Sequence, residues 1–464
     1  MNYNENTTCC SKKRIGEGPM KKRILAAMLG LALTMGMLVG CGGSEESGTE
    51  TPVEESVEAT EESAVEKETL TMMVFPSTEN YETINEKFFE ANPDLAAKAD
   101  IEVVLGGSGD GDVAQKLRLA LTSGEDIPDI VRLNYTQLPE FAEAGVLMDL
   151  GDYVAVYEDE IVDAAKAIMK YDDTYYALPR EIKPKVWFYR ADIFEECGIN
   201  PREVKTLDEF LAVGDIIREK YPDACMENYN APNKNYDLMM MLGATDGRFC
   251  DEDGNYIVAG NEGVKLTFER IKKVHDSEYN STVAEWSADW APAFESGEIV
   301  SQLIGGWFKT DFRNFGLEGQ EGKWAMAPWP EEIRKGSDAG GAIWVIPADS
   351  EHAELAAEIM AKMCFDEEAA KIIYDVTGVL PALKSAATDE YYNSDEYYAC
   401  GLGEVNIEAM QYLDVYPYNP ASTQEVTIVL QYLDEYVQGN MGVDEALQAA
   451  QDDLVNQIGN PYNQ

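Results

Sequence analysis

The chain has 464 residues, 45% of them hydrophobic, and a formal net charge of −50 from 36 basic and 86 acidic side chains. A surface so acidic repels nucleic acid and anionic headgroups, which sets nucleic-acid binding aside. Two histidines, His275 and His352, with no H-E-x-x-H, G-x-S-x-G or G-x-x-x-x-G-K-[ST] motif, offer little for hydrolytic, metal or nucleotide chemistry.

Lys21, Lys22 and Arg23 precede an almost unbroken apolar run, Ile24 to Val39, which ends at Gly40-Cys41. A charged start, an apolar centre and a small residue at the cut define a secretory signal peptide over 1–40. The run has sixteen residues, short of the roughly twenty that a spanning helix needs. Leu38-Val39-Gly40-Cys41 resembles the bacterial lipobox, which implies lipidation (palmitate) at Cys41 and a mature chain that begins there. Met20 is a better start than Met1, so 1–19 reads as a mis-called extension. Removal of 1–40, with six basic and two acidic residues, takes the net charge to about −54. From Gly42 to Glu68 the chain is Gly, Ser, Thr, Pro, Val and Ala with ten Glu, one Lys and no aromatic. Such a stretch cannot offset its own chain entropy by burial, so 41–68 is expected to be a disordered, self-repelling tether.

The folded part then alternates strand and helix. "TLTMMVF" (69–75) predicts a strand, "ETINEKFFEANP" a helix, "IEVVLGG" a strand, "DVAQKLRLALTSG" a helix closed by Gly124, and "PDIVRLN" a third strand. This order predicts a parallel sheet, whose ligands bind beyond the carboxyl ends of the strands. The loops at Pro76–Thr78, Gly106–Asp112 and Asn134–Gln137 are therefore the first candidates for a site. "GGSGDGD" (106–112) lacks phosphate-loop spacing and reads as a strand-to-helix turn.

After "YYALPR" comes an aromatic strand, "KVWFYR" (185–190), in which Trp187 and Tyr189 share one face and Phe188 takes the other. "ADIFEECG" predicts a helix ended by Gly198, and Thr206 and Glu209 have capping-box spacing at the start of the next. "FCDEDGNYIVAG" reads as a hairpin about Asp253-Gly254 rather than a calcium loop, and "EALQAAQDDLVNQIG" is an amphipathic helix. The five cysteines after Cys41 are odd in number with no C-x-x-C pair, so neither a disulfide framework nor a zinc site is indicated. No cofactor or metal is expected.

Trp307 follows Gly305-Gly306 and Trp344 follows Gly340-Gly341, where the backbone can approach closely and leave a ring exposed. Flat apolar rings with convergent polar groups suit pyranose faces and hydroxyls. Trp187 and Tyr189 fit a core and a cleft equally well. Trp307 fits a cleft better, and Trp286 and Trp290, four apart, fit a core better.

An ordered series of segments then carries a resemblance: "LTSGEDIPDIVRLN", "LPEFAEAGVLMDL", "YYALPREIKPKVWFYRADIFEECGI", "FESGEIVSQLIGGWF", "WAMAPWP", "GGAIWVIPADSEHAELAAEIMAKM" and "TGVLPA". Over 69–464 the chain resembles the extracellular solute-binding proteins of family 1, the maltose-binding-protein-like receptor lipoproteins of bacterial ABC importers. The resemblance implies a two-lobed α/β fold of the periplasmic-binding-protein type (type II) with a hinge. Lobe 1 would hold 69–178 and 330–385, and lobe 2 would hold 180–325 and 386–464. The crossovers would fall near Leu178–Arg180 and Ala327–Pro330. It further implies ligand groups at Asn134, Tyr135, Thr136 and Gln137, at Arg180 and Lys183, and at Asn230 and Tyr236, while Gly341 and Trp344 join the candidates on the Gly-Gly-Trp pattern alone. Trp307 would be the stacking residue. Arg180 and Lys183 could meet an acidic sugar or pair with the protein's own carboxylates, and the surplus of acid favours pairing.

The reading is a lipid-anchored monomer on the extracellular face of the cell membrane. It would not be an enzyme, and would capture a carbohydrate, an oligosaccharide above all, for an ABC permease. The alternatives are the same scaffold holding a non-sugar solute, or a surface α/β hydrolase.

Overall fold

A computed structural model describes residues 67–229, 235–336 and 341–462. Eight strands make up its two main sheets. They are β1 (Glu68–Val74), β2 (Ala99–Leu105), β3 (Ile130–Asn134), β4 (Leu178–Glu181), β5 (Lys185–Arg190), β6 (Ser301–Gly305), β7 (Trp324–Pro328) and β8 (Ala342–Val345). The first sheet runs β2-β1-β3-β8-β4, and the second runs β6-β5-β7.

In the first sheet Leu70 pairs with Ile101 and Met72 with both Val103 and Ile130, all in parallel register. Ile130 to Leu133 are buried on both faces, which is why "IVRL" is continuously apolar around one arginine. Helix α1 (Glu79–Ala91) covers one side with Tyr81, Ile84, Asn85 and Phe88, the spacing of a single helical stripe. Helix Asp110–Ser123 ends at Gly124, whose φ of 69° takes the left-handed turn that glycine adopts without a steric penalty.

The parallel pairing expected of the first three strands forms, and the rest of the first sheet is mixed. β8 runs antiparallel to both β3 and β4, with Trp344 opposite Arg132 and Leu178. The second sheet is antiparallel throughout. β8 returns from the second core rather than through a crossover helix, so no rule forces it parallel.

Strand β5 divides that second region as its alternation predicts. Val186 and Phe188 face one core, where Phe188 lies 4.8 Å from Trp324 with planes 10° apart. Trp187 faces another core, edge-on to Phe194 and Phe210. The Thr206–Glu209 capping box forms at the head of helix Leu207–Arg218. Asp251 accepts the backbone N–H groups of Asp253 and Asn255, which makes the plain turn at Gly254. The C-terminal helices Ser422–Val437 and Val443–Gln457 pack on the Trp187 core.

The chain passes from the first sheet to the second between Glu181 and Lys185 and returns between Pro328 and Ala342. Trp329 and Ile333 still belong to the second region's core.

Candidate ligand-binding cleft

The end of β1 and the β4–β5 crossover face residues 306–314 around a cleft of about 260 Å³. Pro76, Tyr81, Arg132 and Arg180 line one side, and Trp307, Lys309 and Asp311 line the other. A neighbouring cavity of about 270 Å³ shares Asn80, Lys309 and Thr310 with it.

The Gly305-Gly306 turn is built as a close approach. The Gly306 N–H donates to the Pro184 carbonyl at 2.8 Å. A Cβ there would lie 3.1 Å from Asn406 Oδ1 and 3.5 Å from Pro184 Cδ. Glycine thus lets the crossover seat directly on the cleft floor, and Trp307 follows half-buried at the head of α2 (Phe308–Asn314).

Trp307 does not stand alone. Trp286 lies parallel to it, ring centroids 5.9 Å apart and planes 18° apart, and is 57% exposed. The sequence placed Trp286 with Trp290 on one helical face, in the core. That holds only for Trp290, which is 1% exposed and donates its indole N–H to Asn228 Oδ1 at 2.7 Å. The helix begins at Trp290, and Trp286 sits in the preceding turn at a φ of 61°. A left-handed φ on a bulky residue is strained and clusters at functional sites.

Charge in the cleft centres on Glu181, at the end of β4. Its carboxylate lies 2.9 Å from Arg180, 3.0 Å from Lys183 and 4.0 Å from Arg132. Burial pushes this carboxyl up, but the three cations outweigh it and hold it well below the carboxylate range. Burial likewise opposes the charge on Arg180, and Glu181 and Tyr81 more than restore it. Arg180 Nε also donates to the Tyr81 hydroxyl at 3.0 Å. Arg132 pairs with Asp110 at 2.8 Å and lies 3.9 Å over the Phe75 ring. Across the cleft, burial draws the Lys309 ammonium down to about 8, and it pushes the Asp311 carboxyl up to about 6.

The structure separates the sequence's candidates. Trp307, Arg180 and Lys183 line the cleft, and Arg180 and Lys183 both pair internally through Glu181. Trp187 does not line it: the ring is fully buried, and its N–H donates to Ser301 Oγ at 2.6 Å. An inward position on a strand covered on both faces leaves no route to solvent. Tyr189 packs on Phe194 at 4.8 Å, and burial raises its hydroxyl to about 12.

The Asn134–Gln137 loop is spent on its own turn. Asn134 accepts the Thr136 N–H, and Gln137 accepts the Asn134 N–H and donates to the Asp110 carbonyl. Tyr135 is buried edge-on to Tyr418, with hydroxyls 3.3 Å apart. The Gly341 carbonyl accepts the Tyr135 N–H. Trp344, 5% exposed, borders instead a separate cavity of about 40 Å³ beside Tyr81 and Cys364. Asn230 lies outside the described residues, and of Tyr236 only its place in helix Asn235–Gly243 is described.

Arg132, Lys309, Asn406 and Trp286 were missed by the sequence reading. Arg132 was findable, two residues before Asn134 and so on the same strand face. Lys309 and Asn406 give no such signal, because each sits in an otherwise apolar helical stripe.

The solved structures this chain resembles share its two-lobed α/β architecture. One is an ABC-transporter-associated binding protein from B. animalis subsp. lactis in complex with beta-1,6-galactobiose. It has a TM-score of 0.67 and 21% identity over 84% of this chain and 97% of that one. Another is the sugar-binding protein MalE from Xanthomonas citri, with a TM-score of 0.71 and 21% identity over 83% and 95%.

Residues 87–399 match the family of bacterial extracellular solute-binding proteins, and the chain belongs to it. Its relatives include an arabinooligosaccharide-binding protein of Bacillus subtilis, 25% identical over 58% of this chain and 64% of that one. The match thus spans less than two-thirds of the Bacillus protein's length. Another is the diacetylchitobiose-binding protein DasA of Streptomyces coelicolor, 26% identical over 78% and 82%.

Proposed function

We propose that this protein is the lipid-anchored, extracellular receptor of an ABC importer and captures an oligosaccharide between its lobes without changing it. The observation that carries the reading is the parallel Trp286–Trp307 pair beside a polar cleft lined from both lobes. The outward face of the exposed Trp286 indole would offer a flat apolar surface to a pyranose ring, and Asn80, Thr310 and Asn314, which line the cleft, would meet hydroxyls. A ligand that touches both lobes favours their closed arrangement, which a permease can read. Relatives named for oligosaccharide binding support the substrate class. Cys41 would hold the protein at the membrane, and the acidic stretch after it would act as the tether.

Calorimetry of the full-length chain against a panel of oligosaccharides, with chromatography of each mixture afterwards, tests the reading. We expect at least one glycan to bind at micromolar concentration or below and to be recovered intact. A panel without a binder, or a glycan recovered as fragments, would overturn it.

A further inference from the structure

Within the carbohydrate reading, on which this inference rests, we propose that the cleft selects a saccharide bearing one carboxylate, a uronic acid residue, and seats that group on Lys309 and Asn406. The charge balance carries the argument. In a chain of net charge −50, the cleft lining holds four cations, Arg132, Arg180, Lys183 and Lys309, against the two carboxylates of Glu181 and Asp311. Asp110, paired with Arg132 from outside the lining, adds a third carboxylate, and Asp395, which also acts on Lys309, is balanced by its own ion pair with Arg313. Among the described residues one cation remains in excess, and one negative charge would balance it.

The position of that charge follows from the pairing. Among the described residues Arg132, Arg180 and Lys183 all have a carboxylate within 4.0 Å, at Glu181 or Asp110. Lys309 has none. It is 6% exposed, and its one hydrogen bond runs to the Gly306 carbonyl at 3.1 Å. A buried ammonium with a single neutral partner is costly to keep charged. Burial does draw it down to about 8, a value that leaves it mostly protonated at neutral pH.

A second observation comes from another helix. Asn406, 3% exposed, lines the same cleft, and its Nδ2 is buried with no hydrogen-bond partner. Arg132 Nε is likewise buried and unpartnered. Buried donors without acceptors are rare and mark a place where an acceptor belongs. A carboxylate has only acceptors to offer. Neutral sugar hydroxyls could fill the amide's need, but they would leave the charge on Lys309 unbalanced. A doubly charged phosphate would exceed the single charge in surplus.

The test is calorimetry of the full-length chain against di- to tetrasaccharides containing galacturonate or glucuronate, each beside its methyl ester. The ester keeps the ring and hydroxyls and removes the charge. We expect at least one free acid to bind and its ester to bind ten-fold or more weakly. Lys309→Met should weaken the acid at least ten-fold and the ester less than two-fold. Asn406→Asp, nearly the same shape, sets a competing carboxylate in place and should do the same, so it carries the test if Lys309→Met fails to fold. Equal binding of acid and ester, or binding of neutral glycans alone, would overturn the carboxylate subsite and leave the carbohydrate reading standing. If no saccharide bound, acidic or neutral, the carbohydrate reading itself would fall and take this inference with it.

Discussion

Trp286 stacks on Trp307, with ring centroids 5.9 Å apart and planes only 18° out of parallel. The two come from different segments, the turn before helix Trp290–Ser296 and the turn after β6.

Trp307→Ala should weaken glycan binding by about 2 kcal/mol, roughly thirty-fold, as expected for a central aromatic anchor. Calorimetry gives the affinity, and a melting curve checks that the fold survives. A variant that binds its glycan as tightly as the parent would remove Trp307 from the site.

Trp286 offers a way to separate backbone from ring. Alanine at 286 loses the indole and keeps the left-handed φ of 61°. Glycine loses the indole and relaxes the backbone, so Trp286→Gly should be more stable than Trp286→Ala by about 1 kcal/mol in urea unfolding. Both should lose glycan affinity equally. An alanine variant at least as stable as the glycine one would mean the turn is unstrained.

Asp311 gives the cleft a pH dependence of known sign. Burial raises its folded pKa to about 6 from an unfolded value of 3.8, and Lys183 only partly offsets this. The folded state therefore holds the extra proton, and this stabilising contribution is complete below pH 3.8 and lost as the pH rises through 6. Lys309 also faces the cleft, but its folded value of about 8 lies outside that window. Glu181 is held low and titrates below it. Urea midpoints of the ligand-free chain from pH 4 to 7 should fall relative to those of Asp311→Asn as the pH rises. A constant gap between the two curves would contradict the assignment.

Cys41→Ser should abolish incorporation of labelled palmitate and move the protein from the membrane fraction to the medium. Retention in the membrane fraction with no label would assign the anchoring to something other than Cys41.

The local grammar of this fold was readable in advance. "KVWFYR" gave a strand with opposite aromatic faces, Thr206 and Glu209 gave a capping box, and Gly305-Gly306 announced Trp307. These features depend on neighbours within a few positions. The reversed β8 could not be read, since its direction is set by a partner more than two hundred residues earlier, where Trp344 meets Arg132. The same distance hid the cleft's charge network: nothing in the sequence near Glu181 says that Arg132 and Lys309 will face it. Trp286 was misassigned because its spacing from Trp290 mimics a helix that has not yet begun.

The place of β8 has a consequence for how the protein is made. β4 has one sheet neighbour among the described residues, β8, and β8 also closes the open edge of β3. A nascent chain that stops short of Ala342 therefore carries β4 without a partner and β3 with an exposed edge. Contacts so far apart in sequence form late, because the loop between them must close first. This topology withholds the first sheet's closing strand until most of the chain has been made, so the sheet cannot be completed while the chain is still short.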